Sequence, residues 1–313
     1  MLQFLKNWTL PVAMFVGACV YLFFSQVPFV APLKPAMRWL IDVLTPLLIF
    51  TMLFVTFCKI SPRDLHLRAW HLWLSLIQII GCVAVYYALA PFNEIVAQAG
   101  MVCVICPTAT AAAVITGKLG GSASSLTAYT LLSNFLTTII VPIIFPLVAP
   151  HAEQGFFTSF LMILSKIFPL LICPFLAACL MQYAFPRANK AITSYPNLAF
   201  YLWAVSLSIV TGQTVKSLMH STADPMVEVW IALAALVLCC LQFIIGKTIG
   251  SQYNDRISAG QALGQKNTVL AIWMSYTFLT PVSSIGPGSY VLWQNIINSW
   301  QLWKKRRKEA RGE

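Results

Sequence analysis

The chain has 313 residues, of which 59% are hydrophobic and 9% charged, with a net charge of +11 and a mean hydropathy of +0.78. Soluble domains carry about 25% charged residues, so this composition excludes an ordinary water-soluble domain and points to an integral membrane protein. The positive charge does not indicate nucleic acid, because it gathers in turns and at the C-terminus between apolar stretches.

Ten apolar stretches follow one another at roughly 8–28, 36–58, 69–91, 95–118, 122–149, 157–185, 191–215, 225–250, 257–280 and 287–303. Most approach the ~20 residues that a helix needs to cross the hydrocarbon. A barrel would show ~10-residue alternating segments instead, so the expected class is an all-α protein with ten transmembrane helices. Residues 8–28 lack a clear small-residue cleavage site and are expected to be a retained helix rather than a signal peptide. Short turns join the stretches, among them the basic turn Ser61-Pro62-Arg63-Asp64 and the segment Pro186 to Lys190.

With ten spans both termini share a side. That side collects Lys6, Lys59, Arg63, Arg68, Lys118, Arg187, Lys190, Lys247, Arg256, the run Lys304 to Lys308, and Arg311, which is 15 of the 20 basic residues. The other side holds Lys34, Arg38 and Lys216, while Lys166 and Lys266 fall inside spans. The positive-inside rule makes the first side cytoplasmic, so both termini are expected in the cytoplasm and the protein in the cell's inner (plasma) membrane. The terminal basic run reads as a topology-fixing tail, with anionic-lipid binding as the alternative.

The nine cysteines lie almost entirely within spans and make no disulfide framework. Cys103-Val104-Ile105-Cys106 fits C-x-x-C, but no second pair or nearby histidine completes a zinc site, so no metal or cofactor is expected. The glycine pairs Gly117/Gly121 and Gly246/Gly250 are expected at close helix approaches.

Two stretches break this apolar pattern. The first is Cys106-Pro107-Thr108-Ala109-Thr110; the second runs from Gly260 through Gly264-Gln265-Lys266-Asn267-Thr268. Thr110 and Asn267 stand 157 residues apart, close to half the chain. Five spans in each half, an odd number, require the second half to be inverted. Residues 1–155 and 156–313 are therefore expected to be inverted five-helix repeats, the second carrying the basic tail. Matched interrupted spans are the best sequence pointer to a transporter's midplane site.

Pro107 lacks an N–H and clashes with the carbonyl one turn back, so the fourth span should unwind there. Gly260 and Gly264 weaken the ninth. Each following half-helix presents its positive N-terminal end to the midplane, where an anion is favoured. Lys266, about ten residues into its span, costs about 2.5–3.5 kcal/mol on insertion scales. It is expected to hold an anionic substrate, to replace a metal cation, or to titrate.

These residues resemble the bile acid:sodium symporter family along essentially the whole chain. The sharpest matches are Cys106-Pro107 with Thr110-Ala111, Gly264-Gln265-Lys266-Asn267 with Leu270-Ala271, and Trp293-Gln294-Asn295-Ile296. The resemblance implies a panel domain (first, second, sixth and seventh helices), a core domain with crossed discontinuous fourth and ninth helices, and transport of organic anions such as bile acids, pantoate or keto acids with sodium. It implies substrate contacts from Thr108, Thr110, Lys266, Asn267, Gln294 and Asn295. Its sodium sites map onto Gln78, Ala112, Ala113, Thr130, Ala262, Gln265 and Lys266.

At Ala112, Ala113 and Ala262 the family's oxygen ligands have become methyl groups, and at Lys266 an amide has become an ammonium. The expectation is a secondary transporter of a small organic anion with degenerate ion sites, for which sodium is doubtful. Rival readings are a sodium symporter with altered sites and a membrane sensor that binds without transporting. A membrane-embedded enzyme has no support, since His66, His71, His151 and His220 form no H-E-x-x-H motif. Substrate, transport direction and oligomeric state are not legible.

Overall fold

The computed structural model describes residues 9–60, 65–148, 155–195, 198–221 and 223–311, and all its regular elements are helices. Lys6, the turn at 61–64 and most of the 150–156 connection lie outside the described residues. Among the described residues six helices are long and apolar enough to cross a membrane: Lys34–Cys58, Ala69–Leu89, Ala123–Val148, Phe156–Ala184 taken as one, Leu198–Met219 and Pro225–Gln252. The chain is a multi-pass membrane protein. It separates into two compact units, one of residues 1–59 and 168–222, the other of 60–167 and 223–313.

In the first unit, α1 (Thr9–Gln26) lies along α10 (Leu198–Met219), and α2 (Lys34–Cys58) packs on α8 (Cys173–Ala184). The α1–α10 approach is backbone to backbone: a methyl on Gly17 would collide with the Ser208 carbonyl, and one on Gly212 would press on the carbonyl of Gly17. The sequence places the seventh span at 191–215, whereas the structure forms a separate short helix α9 (Pro186–Thr193) and starts α10 at Leu198. Pro186 nucleates α9, whose charged residues leave none of it buried. Pro196 then biases Tyr195 away from helical geometry.

The second unit contains α3 (Ala69–Leu89), α4 (Glu94–Ile105), α5 (Ala112–Leu119), α6 (Ala123–Val148), α11 (Pro225–Gln252), α12 (Arg256–Gly264), α13 (Thr268–Phe278) and α14 (Ile285–Glu309). Most of α7 (Phe156–Leu171) belongs to it as well. Helix α11 lies against α12 through Gly246 and Gly250, where an added methyl would meet the Ala259 carbonyl at 2.5 Å and the Asp255 carbonyl at 2.6 Å. Gly117 serves no such contact, since nothing lies within 4 Å of a methyl placed there. Helix α14 continues past the expected end at 303 and carries the basic run to Glu309 in helical form. Lysine and arginine are good helix formers, and cations at a C-terminus suit the helix dipole.

Candidate functional site

The fourth span stops at Ile105, where Cys106 turns to an extended ψ of 137°, and resumes as α5 at Ala112. The ninth stops at Gly264 and resumes as α13 at Thr268, so the second break falls on Gln265–Asn267 while Gly260 stays helical. Gly264 has a packing reason instead, because a Cβ there would run into the Phe243 ring.

The two breaks pair with each other. Thr108 and Lys266 form an antiparallel bridge, in which the Ala109 N–H donates to the Gln265 carbonyl (2.9 Å) and the Asn267 N–H to the Pro107 carbonyl (2.8 Å). Backbone freed at membrane depth must be satisfied by protein, water or ligand, and here the pairing of the two breaks satisfies part of it.

Side chains take the rest. Carbonyl 103 has lost its usual donor because residue 107 is proline, and Gln242 Nε2 donates to it at 3.3 Å. The Thr108 N–H goes to Ser133 Oγ (3.2 Å), so the Val104 carbonyl is left for the Lys266 ammonium at 2.8 Å. Ile105's carbonyl accepts from Gln78 Nε2 (2.6 Å) and from Thr137 Oγ1 (3.0 Å). On the other strand the Lys266 N–H donates to Gln294 Oε1 at 2.9 Å. The Ala262 carbonyl, which that N–H would have served, takes Thr108 Oγ1 at 2.7 Å. Tyr290's hydroxyl caps the Gly264 carbonyl at 2.9 Å.

Lys266 is thereby a buried cation, 2% exposed, at the C-terminal end of α4. That end carries the negative pole of the helix and favours a positive charge. Gln78 turns its nitrogen to the carbonyls of Ile105 and Cys106, and its oxygen accepts from the Tyr129 hydroxyl at 3.0 Å.

The remaining expected residues are placed as follows. Ala112, Ala113 and Ala262 sit in one apolar cluster with Trp70, Leu74, Leu126, Tyr129 and Leu263. Thr130 Oγ1 donates to the Leu126 carbonyl of its own helix. Thr108, Gln265, Lys266, Asn267 and Gln294 meet at the crossing, whereas Thr110 is half-buried beyond the bridge. Asn295 turns back to the Val291 carbonyl of its own helix. Asn267 Oδ1 caps the Leu270 N–H (3.3 Å), which leaves its Nδ2 unpartnered, as is Gln265 Oε1.

Sequence reasoning missed Gln242, Tyr290, Ser133 and Thr137. The signal for Gln242 was available, as an amide in the middle of a span with mean hydropathy 2.5. Ser133 and Thr137 were legible only as a polar stripe at four-residue spacing in the fifth span.

A family model described as the sodium bile acid symporter family matches residues 45–221, which include the first break. A search of curated proteins finds no match to the chain.

Proposed function

The chain belongs to the sodium bile acid symporter family, whose members are transporters and not enzymes, and from that premise we propose a secondary transporter of a small organic anion that runs without sodium. The observation that carries this reading is the Lys266 ammonium on the Val104 carbonyl at the end of a broken helix. Half-helix ends and unwound carbonyls are where such carriers hold their coupling cation. A second cation about 4 Å away would meet a repulsion of about 4 kcal/mol at an effective dielectric of about 20. The methyl groups of Ala112, Ala113 and Ala262 offer an alkali ion no oxygen, and the apolar cluster around them supports the same conclusion.

Ten spans arranged as two inverted five-helix repeats, 1–155 and 156–313, complete the reading. It is supported by the pairing of breaks 158 residues apart, Thr108 with Lys266. The division into two compact units supports panel and core domains, with the first, second and seventh spans and much of the sixth in one and the rest in the other. Substrate would bind at the crossing, near Thr108, Thr110, Asn267, Gln294 and Asn295, with both termini cytoplasmic in the inner membrane. Alternating access would come from movement of core against panel.

Uptake of carboxylates such as pantoate, pyruvate and cholate into proteoliposomes, with sodium or choline outside, tests the proposal. Equal rates in the two salts are expected. Strict dependence on sodium would overturn the coupling, and absence of uptake for every anion would overturn the carrier.

A further inference from the structure

Three helices of the second unit bring together cations that the proposed mechanism does not use. Lys247 of α11 lays its methylenes across Gly260 of α12, where an added methyl would meet Lys247 Cγ at 2.5 Å and Cε at 3.3 Å. Arg256 stands four residues before Gly260, on the same face of α12. Its Cα lies 3.0 Å from a methyl placed on Gly250 of α11. Helix α14 packs along α11 and is tied to α12 by Gln261, whose Nε2 donates to Asn298 Oδ1 at 3.0 Å and to Gln301 Oε1 at 3.5 Å. Lys304 follows one turn after Gln301, and the Lys247 ammonium lies within electrostatic reach of both Arg256 and Lys304.

No acid offsets this cluster. Among the described residues the ion pairs are Arg68–Asp255 and Lys305–Glu309, so none of the three cations has a carboxylate partner. Asp255 directly precedes Arg256, but its carboxylate accepts from Arg68 and from Trp70 Nε1. The first turn of α12 is left without a side-chain cap, and its positive pole adds to the cluster. Like charges held together repel, and an anion among them offsets that repulsion.

The surroundings say what kind of anion fits. Val237, Leu241 and Ile244 are exposed along α11 at helical spacing and lead to half-buried Lys247, three residues on. Leu292, Ile296 and Trp300 are exposed along α14 in the same way and lead to Lys304, four residues on. Lys304 Nζ stands 5.3 Å from the centroid of the Trp300 ring, and tryptophan favours the headgroup level of a bilayer. Both helices are thus apolar where lipid tails lie and cationic where the tails end, and those ends adjoin.

We propose that Lys247, Arg256 and Lys304 form a binding site for the phosphate of an anionic phospholipid, whose acyl chains lie along the exposed faces of α11 and α14. Basic pockets between transmembrane helices bind such headgroups. On the proposed orientation the lipid belongs to the cytoplasmic leaflet. The site is separate from the terminal residues Arg306 to Lys308, and the inference goes beyond the carrier reading, because it needs only the bilayer.

The test follows thermal unfolding of the purified full-length protein in non-ionic detergent during titration with phosphatidylglycerol, phosphatidylcholine or inorganic phosphate. A ligand of the folded state raises the melting temperature, so a saturable rise is expected with phosphatidylglycerol and not with the other two at equal concentration. Lys247→Gln, Arg256→Gln and Lys304→Gln should each raise the half-saturating phosphatidylglycerol concentration about fivefold, as loss of one juxtamembrane cation implies. Arg256 and Lys304 are exposed, so their variants carry the test if Lys247→Gln unfolds. The triple variant Arg306→Gln, Arg307→Gln, Lys308→Gln should stay within about twofold of wild type. An equal response to phosphatidylcholine or to inorganic phosphate would overturn the lipid assignment. Wild-type half-saturation in Arg256→Gln and Lys304→Gln, or an equal loss in the triple variant, would overturn the site. Uptake plays no part in this readout, so a failed carrier reading would leave the outcome unaffected.

Discussion

At the crossing, the breaks free backbone groups that partners from other helices take over. Lys266 belongs to this system as a donor, and its charge distinguishes it from the amides around it. Replacing it with glutamine restores an amide but leaves the neighbouring methyl groups, so Lys266→Gln should lose at least about tenfold in anion uptake without gaining sodium dependence. Initial uptake rates in sodium and in choline decide this; a sodium-stimulated variant would show that the lysine alone had silenced an intact ion site. Thr108→Val removes the donor to the Ala262 carbonyl and strands it in an apolar site. A stability loss of about 1–3 kcal/mol follows, read as a lowered melting temperature in detergent. Asn267 and Lys266 stood out in the sequence because polarity inside an apolar span has few explanations. Gln294 and Asn295 came through the resemblance; neighbours on a helix point about 100° apart, and the Asn295 amide bonds its own helix while Gln294 reaches the Lys266 N–H.

Among the elements, the first break was readable because proline acts locally, removing one N–H and one allowed conformation. The second was harder to place. Its glycines lie within α12, and the helix gives way only at Gln265, where pairing with a strand 158 residues earlier compensates the lost helical bonds. Such long-range pairing leaves no local trace. Gly246 and Gly250 were expected at a close helix approach, and their contact with α12 supplies a test. Gly246→Leu would drive a side chain into the Ala259 carbonyl, and overpacking of that kind costs typically 1–3 kcal/mol. The melting temperature should fall, whereas Gly117→Leu, at an open site, should leave it within a degree or two of wild type. Equal behaviour of the two variants would remove the argument for α11–α12 contact through glycine.

Across the whole molecule, hydropathy alone makes the membrane class and most helix positions legible, but the interleaved division into two units could be reached only through the resemblance. Contacts between the first and third quarters of the chain, such as α1 on α10, have no signature in periodicity. The charge asymmetry makes one global prediction: a C-terminal fluorescent-protein fusion should fluoresce and an alkaline phosphatase fusion at the same site should be inactive. The reverse pattern would invert the assigned orientation. The central claim is that a tethered ammonium stands where the family's coupling cation would be held. It is tested most directly by thermal unfolding of the purified protein, titrated with sodium chloride against choline chloride at constant ionic strength. A ligand that binds only the folded state stabilises it by RT ln(1 + [L]/Kd), so the account predicts identical melting temperatures in the two salts at every concentration. A saturable rise specific to sodium would contradict it.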